Sequence, residues 1–342
     1  MQIYRTSVLT LTLLALAACK GSSSSASAAP VADTPAAIAP KGATAPEGAT
    51  APAASASPTA PKASPNQGGR IPVLEYHVIA GEKDGLYTRV PAHYLADLET
   101  AYKLGYRPIT IAQMLDKNFS DVPAGMSPVV VVFDDASPSQ FRYIEKNGAL
   151  QIDPTSGVGI WLSFAKSHPG WKNRATFCVL NGAAAGHNFF GDSPKFEGQK
   201  KEWRFQKIKW LADNGFELCD HTVWHARLDK FSDAIVQEQI ARNIMAIDSA
   251  VPGYKVRTLA LPYGIWPKNR PLAWQGTWTD PKTHQAHPYH LEAVLEVSGG
   301  PARSPYDPAF NPHSITRIEA IGDDIQKALN RLASTNTRFV VK

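Results

Sequence analysis

Two acids stand side by side in Phe133-Asp134-Asp135, directly after the unbroken apolar run Val129-Val130-Val131-Val132-Phe133. An acidic pair at the end of a buried strand lies where α/β folds place ligands, beyond the carboxyl ends of their strands. Taken alone, the pair is equally a helix N-cap with a solvated neighbour. Further on, His221-Thr222-Val223-Trp224-His225 sets two imidazoles four residues apart. That spacing puts them on one face of a helical turn, where both can close on one metal ion. No Glu follows His221, which excludes the metalloprotease pattern HExxH. Asp135, His221 and His225 together would form a two-histidine, one-carboxylate set. Such a set leaves open positions for water and substrate, as catalytic zinc sites do. A third element, Leu259-Ala260-Leu261-Pro262-Tyr263-Gly264, again follows an apolar segment and by itself is a turn set by Pro and Gly.

These residues need a scaffold that delivers strand ends to one place. Strand patterns are predicted over Ile71–Ile79, Val129–Phe133, Arg174–Leu180, Phe216–Cys219, Val256–Leu261, His290–Val297 and Arg338–Val341. Helical patterns fall over Pro91–Leu104, Trp203–Asn214, Ser232–Ala250 and Asp323–Leu332, several closed by Gly or Pro. The alternation argues for an α/β fold with parallel strands, open or closed into a barrel. Segments rich in Trp, Pro and His at about 149–173, 182–202 and 265–289 read as loops at one end of that scaffold.

In this order, the three elements resemble the motifs of the polysaccharide deacetylase family, carbohydrate esterase family 4, also called NodB-homology domains. The family's Phe-Asp-Asp is matched at residues 133–135 and its His-Ser/Thr-x-x-His at 221–225. Its Arg-x-Pro-Tyr is matched only as Ala260-Leu261-Pro262-Tyr263. The opening Val73-Leu74-Glu75-Tyr76-His77 is similar to the start of members that act on exported polysaccharides. The resemblance implies a distorted (β/α) barrel with irregular loop insertions over residues 71–342. It implies Asp134 as the base that takes a proton from water, and Asp135, His221 and His225 as ligands of a divalent metal. Zinc suits these ligands best, although other first-row ions also accept them. The backbone N–H of Tyr263 would face the oxyanion, and the Thr222 hydroxyl would orient a ligand. Two positions depart from the pattern. Where the family has Arg, this chain has Ala260, so Arg257, Arg303 or Arg317 must reach the base from elsewhere if an arginine does. The family's late Leu-x-His has no clean match; His313 is the first candidate for the general acid, with His284, His287 and His290 behind it.

Before residue 71 the composition changes. The chain has 342 residues, 27 Pro, 24 Gly, 3 Cys and a formal net charge of +5. No Phe, Trp or Tyr occurs between residues 20 and 70, a stretch too poor in apolar groups to offset its ordering entropy. Setting aside Arg5, and Lys20, Lys41, Lys62 and Arg70 against Asp33 and Glu47, the remainder is close to neutral. That excludes a nucleic-acid footprint. Residues 1–18 have the form of a secretory signal, too short for a permanent span. Leu16-Ala17-Ala18-Cys19 resembles a bacterial lipobox, which makes Cys19 the lipidated first residue and residues 19–70 a tether from the membrane. Lys20 favours the outer membrane, facing the periplasm, if the cell is Gram-negative. An exported compartment permits a disulfide between Cys178 and Cys219, and two buried free thiols are the alternative.

The expected function is a metal-dependent hydrolase that removes N-acetyl groups from a GlcNAc-containing polysaccharide, peptidoglycan or exported poly-GlcNAc, in the cell envelope. The alternatives are a catalytically silent glycan-binding lipoprotein on the same scaffold and an O-acetyl esterase. Trp161, Trp171, Trp224, Trp266, Trp274 and Trp278, in or near the proposed loops, could stack on sugar rings or pack the loops.

Overall fold

The computed structural model describes residues 63–182, 189, 190 and 199–342. The leader (1–18), Cys19 and the tether as far as residue 62 lie outside the described residues. Eight parallel strands form the framework: β1 (Val73–Tyr76), β2 (Tyr106–Ile109), β3 (Ser127–Phe133), β4 (Thr176–Val179), β5 (Glu217–Asp220), β6 (Thr258–Ala260), β7 (Ala293–Gly299) and β8 (Ile315–Glu319). They run in the order β1-β8-β7-β6-β5-β4-β3, and β3 pairs back to β1 from Val73↔Val130 to Tyr76↔Phe133, which closes a barrel. β2 stands outside the ring. It pairs with the first half of β3, and β4 takes over at Val132↔Thr176. Six helices are described: α1 (Pro91–Lys103), α2 (Ile111–Leu115), α3 (Gly157–Ser167), α4 (Arg204–Asp213), α5 (Asp233–Ala250) and α6 (Asp324–Ser334). This is the distorted (β/α) barrel expected from the alternation. Among the described residues no helix is long and apolar enough to cross a membrane.

The run at 129–133 is apolar on both faces because both faces are buried. Val129, Val131 and Phe133 pack with Leu98, Phe177 and Ile240 in the cluster that joins barrel to helices. Val130 and Val132 point the other way and pack with Val73, Ala260 and Leu295 inside the barrel. The interior is layered. Near the start of the strands, the Glu217 carboxylate accepts from the hydroxyls of Thr176 (2.9 Å) and Thr258 (3.2 Å) and from the Ala112 N–H (3.0 Å). Apolar residues fill the middle, and there Cys178 and Cys219, register partners on β4 and β5, form a disulfide. The free-thiol alternative is thereby set aside: parallel neighbours in register bring the two Cα atoms to 4.1 Å. Closing a loop between residues 41 apart restricts the unfolded chain, a contribution of about 2–4 kcal/mol. Above this layer, toward the strand ends, charged residues take over the interior.

Several boundaries differ from the sequence reading. The proposed loop at 149–173 contains α3, whose Ser156 accepts from the Gly159 N–H (3.2 Å) and whose Trp161 and Phe164 are buried. The segment 265–289 contains the hairpin Gln275–Thr279/Ala286–His290, and β7 begins after it, at Ala293. The expected terminal strand at 338–341 is reduced to isolated bridges. These bind the tether's end to the barrel: Asn66 pairs with Val340 and Arg70 with Arg338, so the ordered fold begins before Ile71.

Candidate active site

The ends of β1, β3, β5, β6, β7 and β8 meet at a cleft of about 310 Å³ lined by both acids of the first motif, both histidines of the second and Tyr263 of the third. Strand parity explains the gathering. Val132 faces inward, so Asp134 does also; Val73 and Ile315 face inward, and Glu75 and Arg317 follow two residues later. The backbone then bends at four residues of the motifs. Asp135 (φ 71°), Thr222 (φ 64°), His225 (φ 57°) and Tyr263 (φ 57°) all lie in the left-handed region. Such conformations cost about 1–3 kcal/mol each and persist only where the surroundings enforce them. Gly264 follows Tyr263 because a Cβ there would stand 2.6 Å from Val297 Cγ1, across the wall of the cleft.

Three donors converge on one point. Nε2 of His221 is 3.2 Å from Asp135 Oδ1, and Nε2 of His225 is 3.4 Å from the same oxygen. His221 Nδ1 lies 2.9 Å from the Ala260 carbonyl oxygen, which can only accept, so Nδ1 carries a proton and Nε2 is the nitrogen offered to a metal. Burial acts to lower the pKa of this ring, but Asp134 and Asp135 outweigh it and raise it. Ala260, which stands where the resemblance expects Arg, thus fixes a ligand's tautomer through its carbonyl. Burial, reinforced by His221, pushes His225 down to about 4, so its ring is neutral. Burial alone would push Asp135 up, but His221 and the other imidazoles hold it well below the usual carboxylate range. Asp135 Oδ1 and His221 Nε2 are buried with no hydrogen-bond partner among the described residues. For a tetrahedral ion at about 2.0–2.1 Å from each donor, neighbouring donors stand about 3.3 Å apart. The measured separations fit that edge, and the set fits a divalent metal of the zinc type.

Asp134 faces the same cleft but is bound differently. Arg317 Nη1 donates to its Oδ1 at 3.0 Å, and the Gln140 amide donates to its main-chain carbonyl at 2.5 Å. Burial acts to raise the Asp134 pKa, yet Arg317, His221 and His77 outweigh it and keep the carboxyl below its ordinary value. Arg317 comes from β8, which the sequence reading did not predict as a strand. Its side chain is fully buried and also approaches Glu75 Oε1 (3.2 Å) while Nε donates to the Glu296 carbonyl (2.5 Å). The other two arginines weighed for this role are engaged elsewhere: Arg257 with Asp116 and Glu292, Arg303 with Asp307. Glu75, His77 and Asp134 form a second cluster of possible ligands. There the guanidinium of Arg317 already supplies the compensating cation, which argues against a second metal.

The late histidines are not brought to this place. His313 lies flat on Trp274, with ring centroids 4.4 Å apart, and does not line the cleft. His287 stacks on Trp278 (5.4 Å), and His284 and His290 also stay outside. Among the described residues, the imidazole that does line the cleft besides the two ligands is His77, at the end of β1. Its Nε2 is 3.5 Å from Glu75 Oε1, and burial holds its pKa below the ordinary value. The sequence signal for it was the Tyr-His at the end of the first strand. The tryptophans are packing residues: Trp161 and Trp171 are buried in the core, and none lines the cleft. The aromatic faces at its mouth are Tyr87 and Tyr263, 52% and 53% exposed.

The second motif is braced from below. Asp220 Oδ1 accepts from the Thr222 N–H (2.5 Å) and from the Asn243 amide (3.1 Å), and that amide also donates to the Val179 carbonyl (2.8 Å). Asn243 on α5 therefore ties the ends of β4 and β5 to the turn that carries both histidines. Burial pushes Asp220 up to about 7.

Comparison with solved structures agrees with this architecture. The deacetylase PplD of Streptococcus pyogenes, solved in complex with acetate, superposes with a TM-score of 0.53 at 16% identity, covering 78% of this chain and 98% of that one. A polysaccharide deacetylase from Bacillus cereus gives 0.51 at 17% identity over 78% of this chain and 69% of its own. The fold is that of these deacetylases. IcaB from Ammonifex degensii gives 0.50 at 17% identity over 78% and 97% of the two chains. The family model described as polysaccharide deacetylase matches residues 171–274, which carry β4 to β6, the histidine motif and the Pro-Tyr turn. No curated protein matches the sequence. The acidic pair lies outside the family-matched segment, so its place on the deacetylase fold rests on the strand ends described above.

Proposed function

We propose that this chain is a metal-dependent N-deacetylase of a GlcNAc-containing polysaccharide, peptidoglycan or exported poly-GlcNAc. The observation that carries the reading is the division of labour between adjacent carboxylates. Asp135 joins two imidazoles in a metal-ligand set, while Asp134, one residue away, is held ionised by Arg317 and kept out of that set. A divalent ion in the site, zinc as first choice, would polarise the acetyl oxygen and lower the pKa of water toward about 7. Asp134 takes the proton of the attacking water as its oxygen bonds to the acetyl carbon. When the C–N bond breaks, the departing nitrogen needs a proton, and His77 is the imidazole placed to give it. Glu75 Oε1 lies 3.5 Å from its Nε2, burial raises the Glu75 carboxyl well above its ordinary value, and burial of the ring makes the protonated imidazole a better acid. A leaving amine depends on such a donor more than a leaving alcohol does, which favours amide over ester substrates. Tyr87 and Tyr263 offer apolar ring faces for the sugars on either side.

The decisive assay measures bound metal and acetate release from N-acetylglucosamine oligomers. The wild type should contain a divalent ion, release acetate, stop on chelation and recover with zinc. Neither metal nor release would leave a glycan-binding protein on the same scaffold; preferential hydrolysis of O-acetylated sugars would make it an esterase. His77→Ala should lower kcat by about 10²–10³-fold with metal content unchanged, whereas loss of metal in that variant would move His77 into the ligand set.

We also place the enzyme in the cell envelope, exported and held by a lipid on Cys19 through the tether, at the outer membrane facing the periplasm if the cell is Gram-negative. The Leu16-Ala17-Ala18-Cys19 sequence supports this. The mass of the membrane-extracted protein should show a chain starting at Cys19 and carrying acyl groups; an unmodified chain starting at Met1 would contradict it.

A further inference from the structure

A second cavity, about 710 Å³, shares no lining residue with the catalytic cleft. It lies between the start of β8, the loop that follows β7, and the C-terminal end of α6. Three guanidinium groups line it: Arg70 from the end of the tether, Arg303 from the loop and Arg331 from α6. No Asp or Glu is among the lining residues. Arg303 is paired with Asp307 at 2.7 Å, while Arg70 and Arg331 make no ion pair among the described residues. Asp307 is held below its ordinary value by the Ala309 N–H, by Arg303 and, more weakly, by Arg70, so its charge is shared along the rim. Three guanidiniums against that one carboxylate leave an excess of two positive charges. The floor is apolar, formed by buried Ala302, Ile315 and Leu332, and Thr316 and Thr337 add hydroxyl groups to the wall.

We propose that this cavity binds a phosphate monoester. A phosphate monoester carries about −1.5 to −2 charges near neutral pH, which matches the excess on the rim. Arginine forks suit its oxygens. The space beyond one phosphate group, over an apolar floor, takes the organic body of the ester. The ester could be a soluble metabolite or a membrane headgroup, and the same chemistry recognises both. The site lies where the chain enters from the tether, since Arg70 is bonded through its backbone to Thr337 (2.8 Å) and Phe339 (2.8 Å).

The test uses the full chain and two probes, glycerol 3-phosphate and phosphatidylcholine vesicles with or without phosphatidic acid. The expected result is saturable binding of at least one probe, weakened at least tenfold in the double variant Arg70→Gln/Arg331→Gln. Both substituted side chains are free of ion pairs among the described residues, and acetate release should not change. Binding of glycerol 3-phosphate assigns the site to a soluble ester. Binding only of vesicles containing phosphatidic acid assigns it to a headgroup. Binding undiminished in the double variant, or no binding of either probe, overturns the proposal. Because phosphate binding is read independently of acetate release, failure here and failure of the deacetylase reading are separate outcomes.

Discussion

Asp134→Asn is expected to lower acetate release by about 10²–10⁴-fold, the range that a positioned base contributes, with metal content unchanged. The two halves of the expectation rest on different contacts. Metal should stay because its candidate ligands are Asp135, His221 and His225, whose donors lie within 4.8 Å of one another without Asp134. The rate should fall because asparagine has no carboxylate to take a proton. The fold should survive the change. The amide oxygen can still accept from Arg317 Nη1, the main-chain bonds to Tyr76 and Gln140 remain, and Arg317 keeps its contacts with Glu75 and the Glu296 carbonyl. Metal analysis and acetate release on the same preparation check both halves. Undiminished release would remove Asp134 from its role; loss of metal would show that it is a ligand.

The four residues on which this rests were legible in the sequence for a physical reason. Each sits next to a run whose pattern declares a strand end, and the two pairs are compact: adjacent acids, and histidines four apart. Val129–Phe133 can hardly be anything but a strand buried on both faces. The residues that tune the site were not legible in this way. Arg317 stands 183 residues from Asp134, and it and Glu75 reach the acid only because β1 lies between β3 and β8, with Glu75 opposite Val132 on one side and Glu319 on the other. Barrel closure sets that register, and no local spacing reports it. β8 itself, Ile-Thr-Arg-Ile-Glu, has its two apolar residues three apart and so lacks the period of two that marks a strand, yet its Arg is fully buried at the centre of the site. His313 drew attention as a late histidine, but the late position in the chain matters less than which strand end reaches the cleft, and β1 supplies His77. The helix at Gly157–Ser167 was missed because Gly157 and Gly159 are poor helix formers. Burial of Trp161 and Phe164, with a serine cap, outweighs that propensity.

Arg317 carries the second large expectation. In Arg317→Met the Asp134 carboxylate loses its cation while remaining buried, and Glu75, whose carboxyl burial raises well above its ordinary value, loses the same neighbour. Removing one partner of a buried pair typically costs about 3–5 kcal/mol. The sign of the pH dependence is the sharper readout. In the wild type Asp134 is held below its unfolded value of about 3.9, so its ionisation stabilises the fold above that pH and the contribution is lost only as pH falls through the lower folded value. Without Arg317, burial becomes the dominant influence and moves the Asp134 carboxyl upward. The sign then reverses: a raised carboxyl destabilises the fold as pH rises. Urea unfolding should therefore show a larger deficit for the variant at pH 8 than at pH 5. The acid limb of acetate release should move to higher pH for the same reason, because the base must be ionised to act. Arg317→Lys should fall between the two. It keeps the charge but cannot reach Asp134, Glu75 and the Glu296 carbonyl at once, as the guanidinium does. An Arg317→Met protein whose acid limb coincides with that of the wild type would show that something other than this guanidinium keeps Asp134 ionised.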